Sequence, residues 1–158
     1  LPVLLLFAIS AMAQISESEK NGLRFMRQEE KLAHDFYAAM LEKWGGAPFS
    51  NIVIAEKRHM ELIKIELDRF KVADPLIGIE EKRGEFADSK FKKMYDDILA
   101  KGLVSHSDAI RMGVLIEETD INDLKTRLNE TTNVQITSVY TRLIQGSENH
   151  LRAFNRNL

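Results

Sequence analysis

Several acids and imidazoles stand where helices of this chain should carry only core residues. Glu56-Lys57-Arg58-His59 is Glu-x-x-His, a spacing that sets both side chains on one helix face. That face also carries Ile52, Ile63 and Leu67. Glu117 sits at the centre of an arc made by Ile110, Val114, Ile121 and Leu124, and Asp120 lies one turn on, still within that arc. His150 lies amid Val139, Leu143 and Phe154, whereas Glu148 points almost oppositely. Glu29 and Glu30 are adjacent on a broad apolar arc. Glu30 shares a face with Met26, Ala33 and Tyr37, while Glu29 is flanked by Phe25, Phe36 and Met40. Glu30 is the favoured inward residue of the two. Tyr37 brings a hydroxyl that can hydrogen-bond a carboxylate, and it is the candidate catalytic side chain. His34 shares the Glu30 face as an added ligand or a supporting donor.

An ionised carboxylate in an apolar core is costly unless it is paired or bound to a metal. One buried Glu can be paired by one His or Arg. Helices that each present an inward acid or imidazole are harder to explain in that way. Glu30, Glu56, Glu117 and Asp120 offer negative oxygen, and His59 and His150 offer neutral nitrogen. This set suits one or two iron or manganese ions. It suits structural zinc poorly, because such sites are closed, tetrahedral and rich in Cys and His. The plainer readings are a solvated Glu-x-x-His, a satisfied core histidine at 150, and ordinary polar helix positions at Asp120 and Asp123. Ser147, Asp120 and His150 make no hydrolytic triad, because a nucleophile elbow is absent.

Composition narrows the classes further. The chain has 158 residues and no cysteine, which removes disulfides, Cys–zinc sites, thiolate iron–sulfur clusters and a cysteine nucleophile together. The net charge of −2 lacks the basic excess of a nucleic-acid-binding domain. Residues 1–13, LPVLLLFAISAMA, are uncharged and end in small residues at Ala11 and Ala13, as a secretory signal does before cleavage. The run is too short to span a bilayer. The expected arrangement is a signal peptide over 1–13 and one domain over 14–158, exported to a periplasm or the cell exterior, with no membrane association after cleavage.

Four long segments must position the acids, and each shows helical periodicity. The first runs from about Ser18 to Lys43 and stops at Gly45-Gly46-Ala47-Pro48. The second starts at Ser50 or Asn51, read as N-caps, and ends before Asp74-Pro75. The third follows Ser105 and Asp108, which fit a capping box. The fourth runs from near Asn133 to about Asn155. Short loops join the first to the second and the third to the fourth, so each pair should be antiparallel. The long connection between the second and third holds a short helix over Ser89 to Ala100, ended by Gly102.

These residues resemble the ferritin-like di-iron carboxylate superfamily, in which two helices each give a Glu and two each give Glu-x-x-His. Glu30 with Tyr37 and Glu56 with His59 look like one half; Glu117 and His150 look like the other. More narrowly, Glu29-Glu30-Lys31-Leu32-Ala33, the run Ile116 to Leu124, and Asn149-His150-Leu151-Arg152-Ala153-Phe154 resemble the DUF2202 family of bacteria and archaea. The resemblance implies an all-α fold, a ferritin-like antiparallel four-helix bundle with a long crossover between its second and third helices. It implies a di-iron or iron–manganese centre held by Glu30, Glu56, His59, Glu117, Asp120 and His150. The activity implied is ferrous oxidation or reduction of dioxygen or peroxide, with an external electron donor and a homodimer as partners. The expected Glu three residues before His150 is Ser147, and Asp120 is the residue placed to supply the missing carboxylate. A metal-sequestering protein without turnover, and a structural helical bundle with internally paired acids, are the alternative functions.

Overall fold

A computed structural model describes residues 14–158. The stretch read as a signal peptide, 1–13, lies outside the described residues. Five helices follow in order: α1 (Glu17–Trp44), α2 (Phe49–Arg69), α3 (Ser89–Gly102), α4 (His106–Asn129) and α5 (Val134–Asn155). No strand occurs among the described residues, so the fold there is all-α. No described helix is long and apolar enough to cross a membrane.

Local chemistry sets most of the boundaries. Ser16 starts α1 earlier than the periodicity suggests, through a capping box. Its hydroxyl accepts from the Glu19 N–H at 3.2 Å, and the Glu19 carboxylate accepts from the Ser16 N–H at 2.7 Å. The second helix departs from expectation. Ser50 and Asn51 lie inside α2, and Pro48 is the N-cap residue, without a side-chain cap. Proline's ring already fixes φ near helical values, so the chain enters the helix there. Ser105 caps α4 by accepting from the Asp108 N–H, and Asn133 caps α5 by accepting from the Gln135 and Ile136 N–H groups. Asp88 caps the crossover helix α3 through the Lys90 N–H.

Helix α1 lies along α2, and α4 lies along α5. The two pairs meet where α1 faces α4 and α2 faces α5, while α3 packs against α1 and α4. The apolar core divides into two clusters. One gathers Phe36, Met40, Phe49, Phe91, Ile110 and Phe154. The other gathers Leu23, Met26, Ile63, Leu67, Leu124 and Leu143. In chain position the inward acids and imidazoles fall between these two sets on α1, α2, α4 and α5: Glu30 between Met26 and Phe36, His59 between Phe49 and Ile63, Glu117 between Ile110 and Leu124, His150 between Leu143 and Phe154. A polar layer is thus closed off at both ends by apolar packing.

A second face of α1 holds the crossover. The Arg27 guanidinium is fully buried and binds Asp74, Glu80 and the Met60 carbonyl. Lys31, also fully buried, pairs with Asp35 and donates to the Lys82 carbonyl at 2.9 Å. Asp35 accepts from the Gly84 N–H, and Gln28 accepts from the Asp88 N–H. Residues 70–88 have no helix of their own; these side chains pair the Lys82 carbonyl and the Gly84 and Asp88 N–H groups, and turns within the segment pair others.

Candidate metal centre

Four helices deliver the polar layer. Glu30 comes from α1, Glu56 and His59 from α2, Glu117 and Asp120 from α4, and His150 from α5. All six are buried. Their ligand atoms form two groups, Glu30–Glu56–His59 and Glu56–Glu117–His150, with every atom of a group within 4.8 Å of the others. Glu56 belongs to both. Its Oε2 lies 2.9 Å from His59 Nδ1, and its Oε1 lies 2.8 Å from His150 Nδ1. Glu30 Oε2 is 3.2 Å from His59 Nδ1, and Glu117 Oε1 is 3.5 Å from His150 Nδ1. The two imidazoles stack with centroids 5.4 Å apart.

These contacts leave polar atoms unsatisfied. Glu30 Oε1, Glu56 Oε2, Asp120 Oδ1 and His150 Nδ1 are buried without an aligned hydrogen-bond partner. Glu56 Oε2 and His150 Nδ1 are close to partners but off the hydrogen-bonding direction. Buried polar atoms left unpaired are rare and destabilising. A convergent set of oxygens and imidazole nitrogens with spare lone pairs fits a metal site.

Electrostatics follow from burial and from the sharing of protons. Burial pushes the Glu30 carboxyl up to about 7, against the pull of His59. Burial and the neighbouring Glu56 push Glu117 up to about 8. Burial alone would lower His59, yet Glu30 and Glu56 outweigh it and raise the imidazole to about 11. Glu117 and Glu56 likewise raise His150 to about 10 against burial. Glu56 stays below the usual carboxylate range, because two imidazoles face it and overcome its burial.

Other expected residues find distinct places. The Tyr37 hydroxyl crosses from α1 to donate to Glu117 at 2.7 Å. Asp120 stands outside both groups and accepts from the Ser147 hydroxyl at 2.6 Å. Burial raises Asp120 well above its ordinary value, helped by Glu30 and Glu29. His34 turns away from Glu30 toward Asp35, at 3.1 Å, and its side chain is partly exposed. Of the adjacent pair, Glu30 joins His59, as its face predicted. Glu29 is also buried, but it meets Asp123 of α4 and is raised well above its ordinary value by burial. Sequence reasoning treated the two as alternatives; α1 buries them on two sides at once, against α2 and against α4.

Glycine provides room at two points. A Cβ at Gly146 would lie 2.5 Å from His59 Nε2, and one at Gly113 would lie 2.5 Å from the Phe154 ring. Two recesses reach toward this layer. A cavity of about 110 Å³ between α1, α3 and α4 is walled by Leu32, Met94, Ile98 and Ile116, with Glu29 in its lining. A more polar pocket of about 320 Å³ opens between α2 and α5, with His59 and His150 in its lining.

Comparison with known proteins agrees with this architecture. The profile of the uncharacterized protein domain DUF2202 matches residues 19–158. The uncharacterized protein MJ0754 of Methanocaldococcus jannaschii is 42% identical over 144 residues, spanning 91% of this chain and 77% of that protein. The crystal structure of hypothetical protein MJ0754 from Methanococcus jannaschii aligns with a TM-score of 0.89, covering 92% of this chain and 82% of that one. With the profile covering most of its length and a relative of this identity, the chain belongs to the DUF2202 family.

Proposed function

We propose that the polar layer is a two-metal carboxylate centre in a ferritin-like four-helix bundle, loaded with iron or with iron and manganese. The observation that carries this reading is Glu56. One carboxylate presents a different oxygen to each of two imidazoles, and each imidazole has a further Glu beside it. Two ions would be held by Glu30, Glu56 and His59 on one side and by Glu56, Glu117 and His150 on the other, with Glu56 common to both groups. An internally paired structural cluster would not leave buried carboxylate oxygens such as Glu30 Oε1 and Asp120 Oδ1 without a hydrogen-bond partner. Such a metal pair, when bound, supplies redox chemistry toward dioxygen, peroxide or ferrous iron.

The chain's own groups have clear duties around it. Glu30, Glu56 and Glu117 present carboxylate oxygens in a buried layer, and the His59 and His150 rings turn Nδ1 toward them. Tyr37 fixes the Glu117 carboxylate through its hydrogen bond. Asp120, oriented by Ser147, is the spare carboxylate on the side where the superfamily pattern places a Glu at position 147. The chain contains no cysteine, so a catalytic cycle draws electrons from an external donor. Export is part of this reading, on the strength of residues 1–13.

The test is metal content. Untagged protein from iron-supplemented growth should carry about two equivalents of iron or manganese per chain. Glu56→Ala should lose both while remaining helical by circular dichroism, and His59→Ala and His150→Ala should each lose about one. Near-zero metal in the parent protein would sink the proposal. Mixing with ferrous iron and oxygen then separates turnover from sequestration, by whether oxidation outpaces buffer.

A further inference from the structure

The pocket between α2 and α5 has a rim unlike the layer beneath it. Arg58 and Arg142 flank it, Gln145 and Asn149 complete its polar edge, and His59 and His150 line it next to Gly146. No carboxylate lines it. Arg27, Arg69, Arg83, Arg111 and Arg127 each bind a carboxylate. Arg58 and Arg142 are exposed and take part in no ion pair among the described residues. Glu61 lies on the neighbouring groove with Arg58, and Glu148 turns to Lys125 instead. Asn149 gives its carbonyl oxygen to Arg152, which leaves its amide N–H groups available.

Two guanidiniums and two side-chain amides make this rim rich in N–H donors, with no carboxylate among its lining residues. Guanidinium groups bind oxyanions through paired N–H contacts, and two unpaired ones across a pocket focus the field on a small anion. We infer that the α2–α5 pocket is a binding site for a small oxyanion, a carboxylate or phosphate group, held by Arg58 and Arg142 above the two imidazoles. The pocket volume of about 320 Å³ admits such a group together with water. The tight approach of the Gly146 backbone to His59 keeps that ring at the pocket floor, because any side chain at 146 would displace it. Calling the oxyanion a substrate or ligand of the centre rests on the metal reading above; the binding itself does not.

The experiment is calorimetric titration of the protein as purified with sodium phosphate and with sodium acetate, at constant ionic strength set by chloride. Saturable binding of either anion, weakened at least about tenfold in Arg58→Gln or Arg142→Gln, is the expected result. Both substitutions are on the surface and leave the core untouched. Absence of saturable heat with both anions, or equal affinity in parent and both variants, overturns the site. Metal content measured on the same samples keeps the two readings apart. Arginine-dependent anion binding by metal-free protein would defeat only the centre, and metal-loaded protein indifferent to both arginines would defeat only this site.

Discussion

At the scale of single residues, the position of Glu56 organises everything near it. Two imidazoles face one carboxylate and hold it ionised, and Glu30 and Glu117 are left to share the remaining protons. Tyr37 is a neutral donor in contact with this set, and its bond to Glu117 spans α1 to α4. Burial drives the Tyr37 phenol well above its ordinary value, so it donates and never competes as an anion. Tyr37→Phe would leave Glu117 without its donor while conserving the ring packing against Phe154. A loss of about 1–3 kcal/mol in denaturant unfolding is expected, with metal content unchanged. Unchanged stability would show that the hydroxyl does not hold the carboxylate.

At the scale of elements, α1 does three jobs on three faces. It supplies Glu30 to α2, Glu29 to α4, and Arg27 with Lys31 to the crossover. Arg27 is the most exposed to a test, because it is wholly buried and its partner Asp74 is nearly so. Arg27→Met keeps the volume of the stem but strands Asp74 and the Met60 carbonyl. Destabilisation of about 3–5 kcal/mol is expected, the range for breaking a buried pair from one side. Hydrogen exchange should quicken first at residues 74–84; uniform protection would argue against the strap. Between α4 and α5 the contact is steric. Gly113→Ala drives a methyl into the Phe154 ring and should cost about 1–3 kcal/mol in unfolding free energy. A neutral result would mean that the ring can move aside.

For the whole molecule, the polar layer makes stability depend on pH in an unusual direction. Burial raises Glu30 to about 7 and Glu117 to about 8 from an ordinary 4.5, while carboxylates raise His59 to about 11 and His150 to about 10 from 6.5. All four shifts are upward, so the metal-free folded chain keeps protons that the unfolded chain releases. Stability then falls as pH rises. The penalty from the acids grows from their ordinary value to about 8. The gain from the imidazoles is complete below 6.5 and is lost as pH passes 10 to 11. Glu56, held low, acts in the opposite sense, but only below its ordinary value of 4.5. Thermal midpoints of chelator-treated protein should therefore drop steadily between about pH 5 and pH 10. A rise over that range would contradict the buried cluster. Bound metal displaces the same protons, so loaded protein should lose this dependence.

The sequence alone determined the helices, their order and most of their ends, because periodicity and capping are local. Ser105, Asn133 and Gly45 act within a few residues of themselves. It also determined the inward set of Glu30, Glu56, His59, Glu117 and His150, because an acid on an apolar stripe can be read from one helix at a time. What it left open was whatever depends on a second helix. Glu29 and Glu30 looked like alternatives on one wheel; only the packing of α1 against both α2 and α4 buries both. His34 shares a face with Glu30 on the wheel, but its ring contacts the neighbouring Asp35, whose other oxygen accepts from Gly84 of the crossover. Arg27 and Lys31 carry no signal on a single helix; they are buried because the crossover packs over them. That Glu56 serves both imidazoles, and that Arg58 of α2 and Arg142 of α5 line one pocket, depend on how helices pack together, which no single-helix pattern contains.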